Sequence, residues 1–151
     1  MAETLGSIID KLIIKRIRLH HLEQMTRSRK VEKAIHLINE QIGNYTAEVE
    51  TFLKQAVRGQ VVIKEPKVKL YNNPPSKLDL PKIKELGSLV DLLAKTNIQL
   101  WDFEDQVRVK GTSYKRVARL KNNIDLSNKE RNEAIDRIDQ ILEDKIKKCR
   151  A

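Results

Sequence analysis

Several things are scarce in this 151-residue chain, and each scarcity excludes something. Cys149 is the only cysteine, so no internal disulfide can form and the paired-cysteine zinc signatures are ruled out. Aromatic residues make up 4%, too few for a platform on which single-stranded bases stack. No apolar run approaches the roughly 20 residues of a membrane span, and no secretory leader is read at the N-terminus. A reducing cytoplasm is therefore the expected compartment. There are only five glycines and four prolines, most of them in one central stretch, and no proline stands elsewhere in the chain.

Charge is plentiful. Charged residues reach 34%, apolar residues 40%, and the formal net charge is +9. This composition suits helices with one buried face and one heavily charged face. The positive balance raises nucleic acid, anionic membrane and phosphate-bearing ligands as partners. Glu and Asp are interspersed almost everywhere, however, which favours lysines that solvate helix faces.

Two stretches nearly repeat each other. Leu5-Gly6-Ser7, Asp10, Leu12, Ile17, Leu19, Glu23 and Arg27 recur as Leu86-Gly87-Ser88, Asp91, Leu93, Ile98, Leu100, Glu104 and Arg108. That is nine identities over 23 ungapped positions at a constant offset of 81, which reads as an internal duplication. A second correspondence, at offset 89, pairs Asn39 with Asn128, Val49 with Ile138, Glu50 with Asp139 and Leu53 with Leu142. The expected fold is all-α: one domain over 1–151, a four-helix bundle of two duplicated αα-hairpins (repeats 4–58 and 79–148) joined by a linker at 59–78.

Taken in order, helix 1 is expected from about Thr4 to Thr26. Ser28 marks a turn. Helix 2 carries a heptad seam of Val31, Ile35, Ile38, Ile42, Tyr45, Val49 and Phe52, and stops at Gly59. That narrow stripe leaves room for a homodimer partner. The linker includes two short β-prone runs, Val61-Val62-Ile63 and Val68-Lys69-Leu70-Tyr71, compatible with a small β-hairpin. Asp79 before Leu80-Pro81 reads as the cap of helix 3, which runs to about Arg108. Gly111-Thr112-Ser113 is a turn and cap, and helix 4 continues to near the C-terminus.

Polar residues at seam spacing are the informative exceptions. In helix 3 the seam by spacing is Leu86, Val90, Leu93, Asn97, Leu100, Glu104 and Val107, with Trp101 one turn after Asn97. In helix 4 a strip of Lys121, Asp125, Asn128, Arg131 and Asn132 interrupts the apolar pattern. An antiparallel hairpin should bring the two together near its turn. One reading is a structural network: Glu104 with Arg108, and Glu23 with Arg27, as i,i+4 pairs that fix register. The other is a ligand site for a polar or anionic molecule. In it Trp101 is an apolar platform, Arg131 and Lys121 are anion contacts, Asn97, Asn128 and Asn132 orient the ligand, and Asp125 completes the strip.

Other chemistries are weaker. Asp102, Glu104, Asp105, Glu133 and Asp136 have the flavour of a Mg²⁺-dependent all-α nucleotide hydrolase, but Arg131 and Lys121 would crowd the metal. His20-His21 and His36 lack zinc spacing on one face. No nucleophile–base pair and no phosphate-binding glycine loop is visible, so a non-catalytic module without cofactor or metal is favoured. A nucleic-acid alternative rests on Lys11, Lys15, Arg18, Lys64, Lys67, Lys69 and the Lys147-Lys148-Cys149-Arg150 tail.

The pattern Asn97-x-x-Leu100-Trp101-x-x-Glu104-Asp105-x-x-Arg108, followed by Lys121-x-x-Ile124-Asp125-x-x-Asn128-x-x-Arg131-Asn132-x-x-Ile135-x-x-Ile138-Asp139, resembles a bacterial all-helical family of unknown function. The Leu-Gly-Ser openings of helices 1 and 3 are also similar to its members. The resemblance implies no established activity. Members can occur beside glycosyltransferases of cell-envelope polysaccharide assembly, which implies an accessory role there.

Overall fold

The computed structural model describes residues 3–64 and 83–150. Four helices account for most of them: α1 (Leu5–Glu23), α2 (Arg29–Val57), α3 (Leu86–Val107) and α4 (Tyr114–Arg150). No strand occurs among the described residues. Of the expected β-hairpin, Val61-Val62-Ile63 is irregular, and the Val68–Tyr71 half lies outside the described residues. The described chain is all-helical.

Two compact units are present: Met1–Glu65 with Leu142–Ala151, and Pro66–Ile141. In the first, α1 and α2 pack around Leu19, Ile38 and Ile42, with Leu12, Leu22 and Ile35 against them. The heptad seam of α2 is the face it buries, extended by Ala56 one turn after Phe52.

The starts of α1, α2 and α4 have a local cause. At α1, Thr4 is extended and accepts from the Ser7 amide, and the Ser7 hydroxyl accepts from the Thr4 amide, which closes a capping box. Ser28 caps α2 by accepting from the Val31 amide. Ser113 does the same for α4, at 3.3 Å from the Arg116 amide.

α3 departs from expectation. Ile83, Lys84 and Glu85 are not helical, and the helix begins at Leu86, so Asp79, itself outside the described residues, cannot be its cap. Glu85 holds the cap position in an extended conformation with no side-chain cap bond. The Ile83 carbonyl accepts from Arg137 Nε at 3.1 Å, a tertiary bond in place of the helical one. α1 and α3 thus both begin at the leucine of their Leu-Gly-Ser segment.

Glu3, just before α1, is hydrogen-bonded to Lys11 and accepts from Ser7 Oγ at 2.6 Å. The Lys11 bond, then the Ser7 bond, hold the Glu3 carboxyl below its ordinary range. The Glu3 bond holds the Lys11 ammonium above its own. A depressed carboxylate contributes above its unfolded pKa and is lost as pH falls through the folded one. A raised ammonium contributes below its unfolded pKa and is lost as pH rises through the folded one. The stability difference between wild type and Lys11→Met is therefore expected to be flat from about pH 5 to 10 and to shrink on either side. Its size should be the roughly 0.2–1 kcal/mol of an exposed pair, read from urea midpoints across pH.

Candidate functional site

In the second unit, α3 and the first part of α4 are cross-linked at two levels. Arg116 Nη2 donates to Gln106 Oε1 at 3.4 Å beside the turn, and Arg137 Nε donates to the Ile83 carbonyl at the far end. The helices are therefore antiparallel, and both cross-links give one register to within about a turn: position 97 falls opposite about 124, and position 128 opposite about 93.

Burial fixes the facing stripes. On α3 the buried positions are Leu89, Leu93, Thr96, Asn97 and Leu100, with Leu86, Phe103 and Val107 half-buried. This stripe takes Leu89 and Phe103 where sequence spacing suggests Val90 and Glu104, while Thr96 is buried together with the expected Asn97. A seam of alternating three- and four-residue steps can be read in two phases, and this phase keeps a carboxylate out of the interior. On α4 the stripe is Leu120, Ile124, Ser127, Arg131, Ala134, Ile138 and Ile141. Ser127 and Ala134 are buried in place of the expected Asn128 and Ile135, both half-buried.

The expected site residues are accordingly spread. Asn97 is 5% exposed, and its Nδ2 donates to the Leu93 carbonyl of its own helix at 3.0 Å. Trp101, Asn128 and Arg131 are half-buried, and the Nε of Arg131 is fully enclosed. Lys121, Asp125 and Asn132 are exposed. From Lys121 to Asn132 the strip extends about 16 Å along the helix, so it is an elongated polar face rather than a closed pocket. A hollow of about 340 Å³ lies at the start of α3, lined by Ile83, Lys84, Glu85 and Ser88 and by none of the expected residues.

The expected structural pairs do not form. Glu104 and Arg108 are both exposed, as are Glu23 and Arg27, and no ion pair joins either couple among the described residues. Arg27 lies beyond the end of α1, so the i,i+4 geometry is lost there. In water such pairs gain little over solvation. Besides Asn97, the deeply buried polar residues among those described are Asp10, Thr96, Ser127 and Asp139. Thr96 donates to the Leu92 carbonyl at 2.9 Å. The sequence signal for Asp139 is a carboxylate within the apolar run Ile135, Ile138, Ile141, Leu142.

No group of three or more His, Cys, Asp or Glu side chains suited to a metal ion occurs among the described residues. No helix among them is long and apolar enough to cross a membrane. Of the basic residues weighed for nucleic acid, Lys11 is paired with Glu3, Arg18 and Lys64 are exposed, and Lys67 and Lys69 lie outside the described residues.

Compared with known proteins, residues 87–151 match the profile of a family described as "Protein of unknown function (DUF4254)". The match supports an uncharacterised family for the part of the chain that holds α4 and nearly all of α3. α1, to which the sequence resemblance also extends, lies outside it. No curated protein and no solved structure matches the chain.

Proposed function

We propose that this chain is a non-catalytic helical binding module that takes a polar, anionic ligand or the anionic surface of a partner protein along α4. The observation that carries the reading is Arg131. It occupies a seam position between Ser127 and Ala134, where an aliphatic residue would pack without desolvating a charge. Half-buried Asn128 precedes it on α4, and Lys121, Asp125 and Asn132 are exposed along the same helix. A guanidinium offers five fixed N–H donors suited to carboxylate or phosphate. The family match covers this same hairpin, which supports it as the working part. We propose also that the two hairpins descend from one, a reading supported by the shared helix start at Leu5 and Leu86.

A thermal-shift screen with nucleotides, nucleotide sugars and divalent cations tests the binding reading. Nucleotide sugars are included because the sequence resemblance implies an envelope-glycan association. A true ligand at about 100 times its Kd stabilises by about 2.7 kcal/mol. For a chain of this size the melting temperature should rise by about 5–10 °C. Arg131→Ala should weaken that ligand roughly 10- to 100-fold and the exposed Lys121→Ala less. A shift with Mg²⁺ alone, insensitive to Arg131, would instead favour the hydrolase reading. No shift with any anion would sink the anionic-ligand reading.

A further inference from the structure

The first unit ends in a cationic corner. α2 finishes with Lys54, Val57 and its cap Arg58, the chain turns at Gly59, and the last turn of α4 arrives beside it. The juxtaposition is direct: Arg150 Nη2 donates to the Val57 carbonyl at 2.9 Å and to the Ala56 carbonyl at 3.3 Å. Over 54–58 and 145–150 stand Lys54, Arg58, Lys145, Lys147, Lys148 and Arg150, with no acidic residue. Lys147 is paired with Glu143 at 3.0 Å. Lys54, Arg58, Lys145 and Lys148 are exposed and make no ion pair among the described residues.

One or two cations at a helix C-terminus are ordinary, because the macrodipole favours them. Two features exceed that account. The cations come from two helix ends at one corner, and of the six only Lys147 has a carboxylate partner among the described residues. In addition, Val57 and Val62 flank the turn at 66% and 61% exposed, two aliphatic side chains standing out among the charges.

We propose that this corner docks on the surface of an anionic phospholipid bilayer, with the valines entering the boundary between headgroups and acyl chains and the cations meeting lipid phosphates. A bilayer satisfies both features at once, since apolar insertion and basic charge are the two signals that interfacial binding combines. A nucleic acid would take the cations but offer the valines nothing, and no aromatic residue stands in 54–64 or 142–150 to stack on bases. A second copy of the corner would bring like charges together. The proposal rests on the first unit's residues alone and stands apart from the ligand reading of α4.

The test is co-sedimentation of the full chain with vesicles of phosphatidylglycerol and phosphatidylcholine in equal parts, against phosphatidylcholine alone, with duplex DNA retention measured in parallel. Binding is expected on the anionic vesicles at low salt, release at roughly 0.5 M salt, and no binding to phosphatidylcholine. The triple variant Lys54→Ala, Arg58→Ala, Lys148→Ala should lower partitioning about 100-fold, at roughly fivefold per charge. Val57→Gln with Val62→Gln should lower it roughly tenfold while leaving DNA retention unchanged. All five positions are exposed, and circular dichroism checks that the variants stay helical. Failure to sediment at low salt overturns the proposal. So does sedimentation indifferent to the valine pair and matched by DNA retention, which would make the corner a nucleic-acid contact.

Discussion

Ile138→Ala is expected to destabilise the protein by about 2–5 kcal/mol, the largest effect of any single truncation in α4. Ile138 is 0% exposed and lies in the buried stripe between Ala134 and Ile141. Removing three carbons from a site with no solvent access loses their transfer free energy and leaves a cavity that neighbours fill only in part. A chain of this length should lose about 5–15 °C in melting temperature. Leu126→Ala is the matched control: it removes a similar volume from the same helix, but Leu126 is 48% exposed, so its cost should stay within about 0.5 kcal/mol. If the two variants melted together, the stripe assigned to α4 would be in the wrong phase.

Phase is where sequence reading and structure part. Four helices were legible because apolar residues recur at helical spacing and because caps are local chemistry: Thr4 with Ser7, Ser28, Ser113 and the stop at Gly59 all act over three or four residues. Which of two interleaved stripes is buried is decided by the partner helix, and spacing alone does not contain that partner. On α2 the two phases differ strongly in hydrophobicity, and the seam is unambiguous. On α3 Leu89 and Val90 are near equals, and the choice fell to the stripe with Thr96 and Phe103. The start of α3 was illegible for a related reason: Ile83 gives its carbonyl to Arg137, a residue 54 positions away.

The same limit shaped the candidate site. Asn97 could be read as buried, since an amide between Leu93 and Leu100 has little choice of face. Arg131 could be read as a seam residue for the same reason. Asp125 and Asn132 sit at spacings that suggest continuity with it, yet both face solvent, because the stripe passes through Ser127. Asp10 and Asp91 make the point most sharply. They occupy matching positions in two similar segments, yet Asp10 is buried while Asp91 is exposed and ion-paired with Lys95 at 3.0 Å. The ion pair has a local cause, since Lys95 stands where the first segment has Ile14, but the difference in burial comes from what each helix packs against.

Gly59→Val is expected to cost roughly 2–3 kcal/mol, from two separable causes. The first is conformational. α2 ends in a Schellman motif: the Gln60 amide donates to the Gln55 carbonyl at 2.8 Å and the Gly59 amide to the Ala56 carbonyl at 3.1 Å. That geometry holds Gly59 at φ +72°, a left-handed conformation that costs an L-residue roughly 1–2 kcal/mol, and more when β-branched. The second cause is contact. A Cβ at Gly59 would stand 3.1 Å from Arg150 Nη2, so the guanidinium must move away from the carbonyls it caps. Gly111 separates the two, since it has φ +81° but nothing within 4 Å of its Cβ. Gly111→Val should therefore show the conformational cost alone. The excess at Gly59 should vanish in an Arg150→Ala background, where a double-mutant cycle isolates the coupling. Gly43, inside α2 with open space at its Cβ, should respond in the opposite direction, Gly43→Ala stabilising by about 0.5–1 kcal/mol. Urea midpoints for these variants read all of these terms. An Arg150-independent cost at Gly59 would mean that α4 does not cap α2.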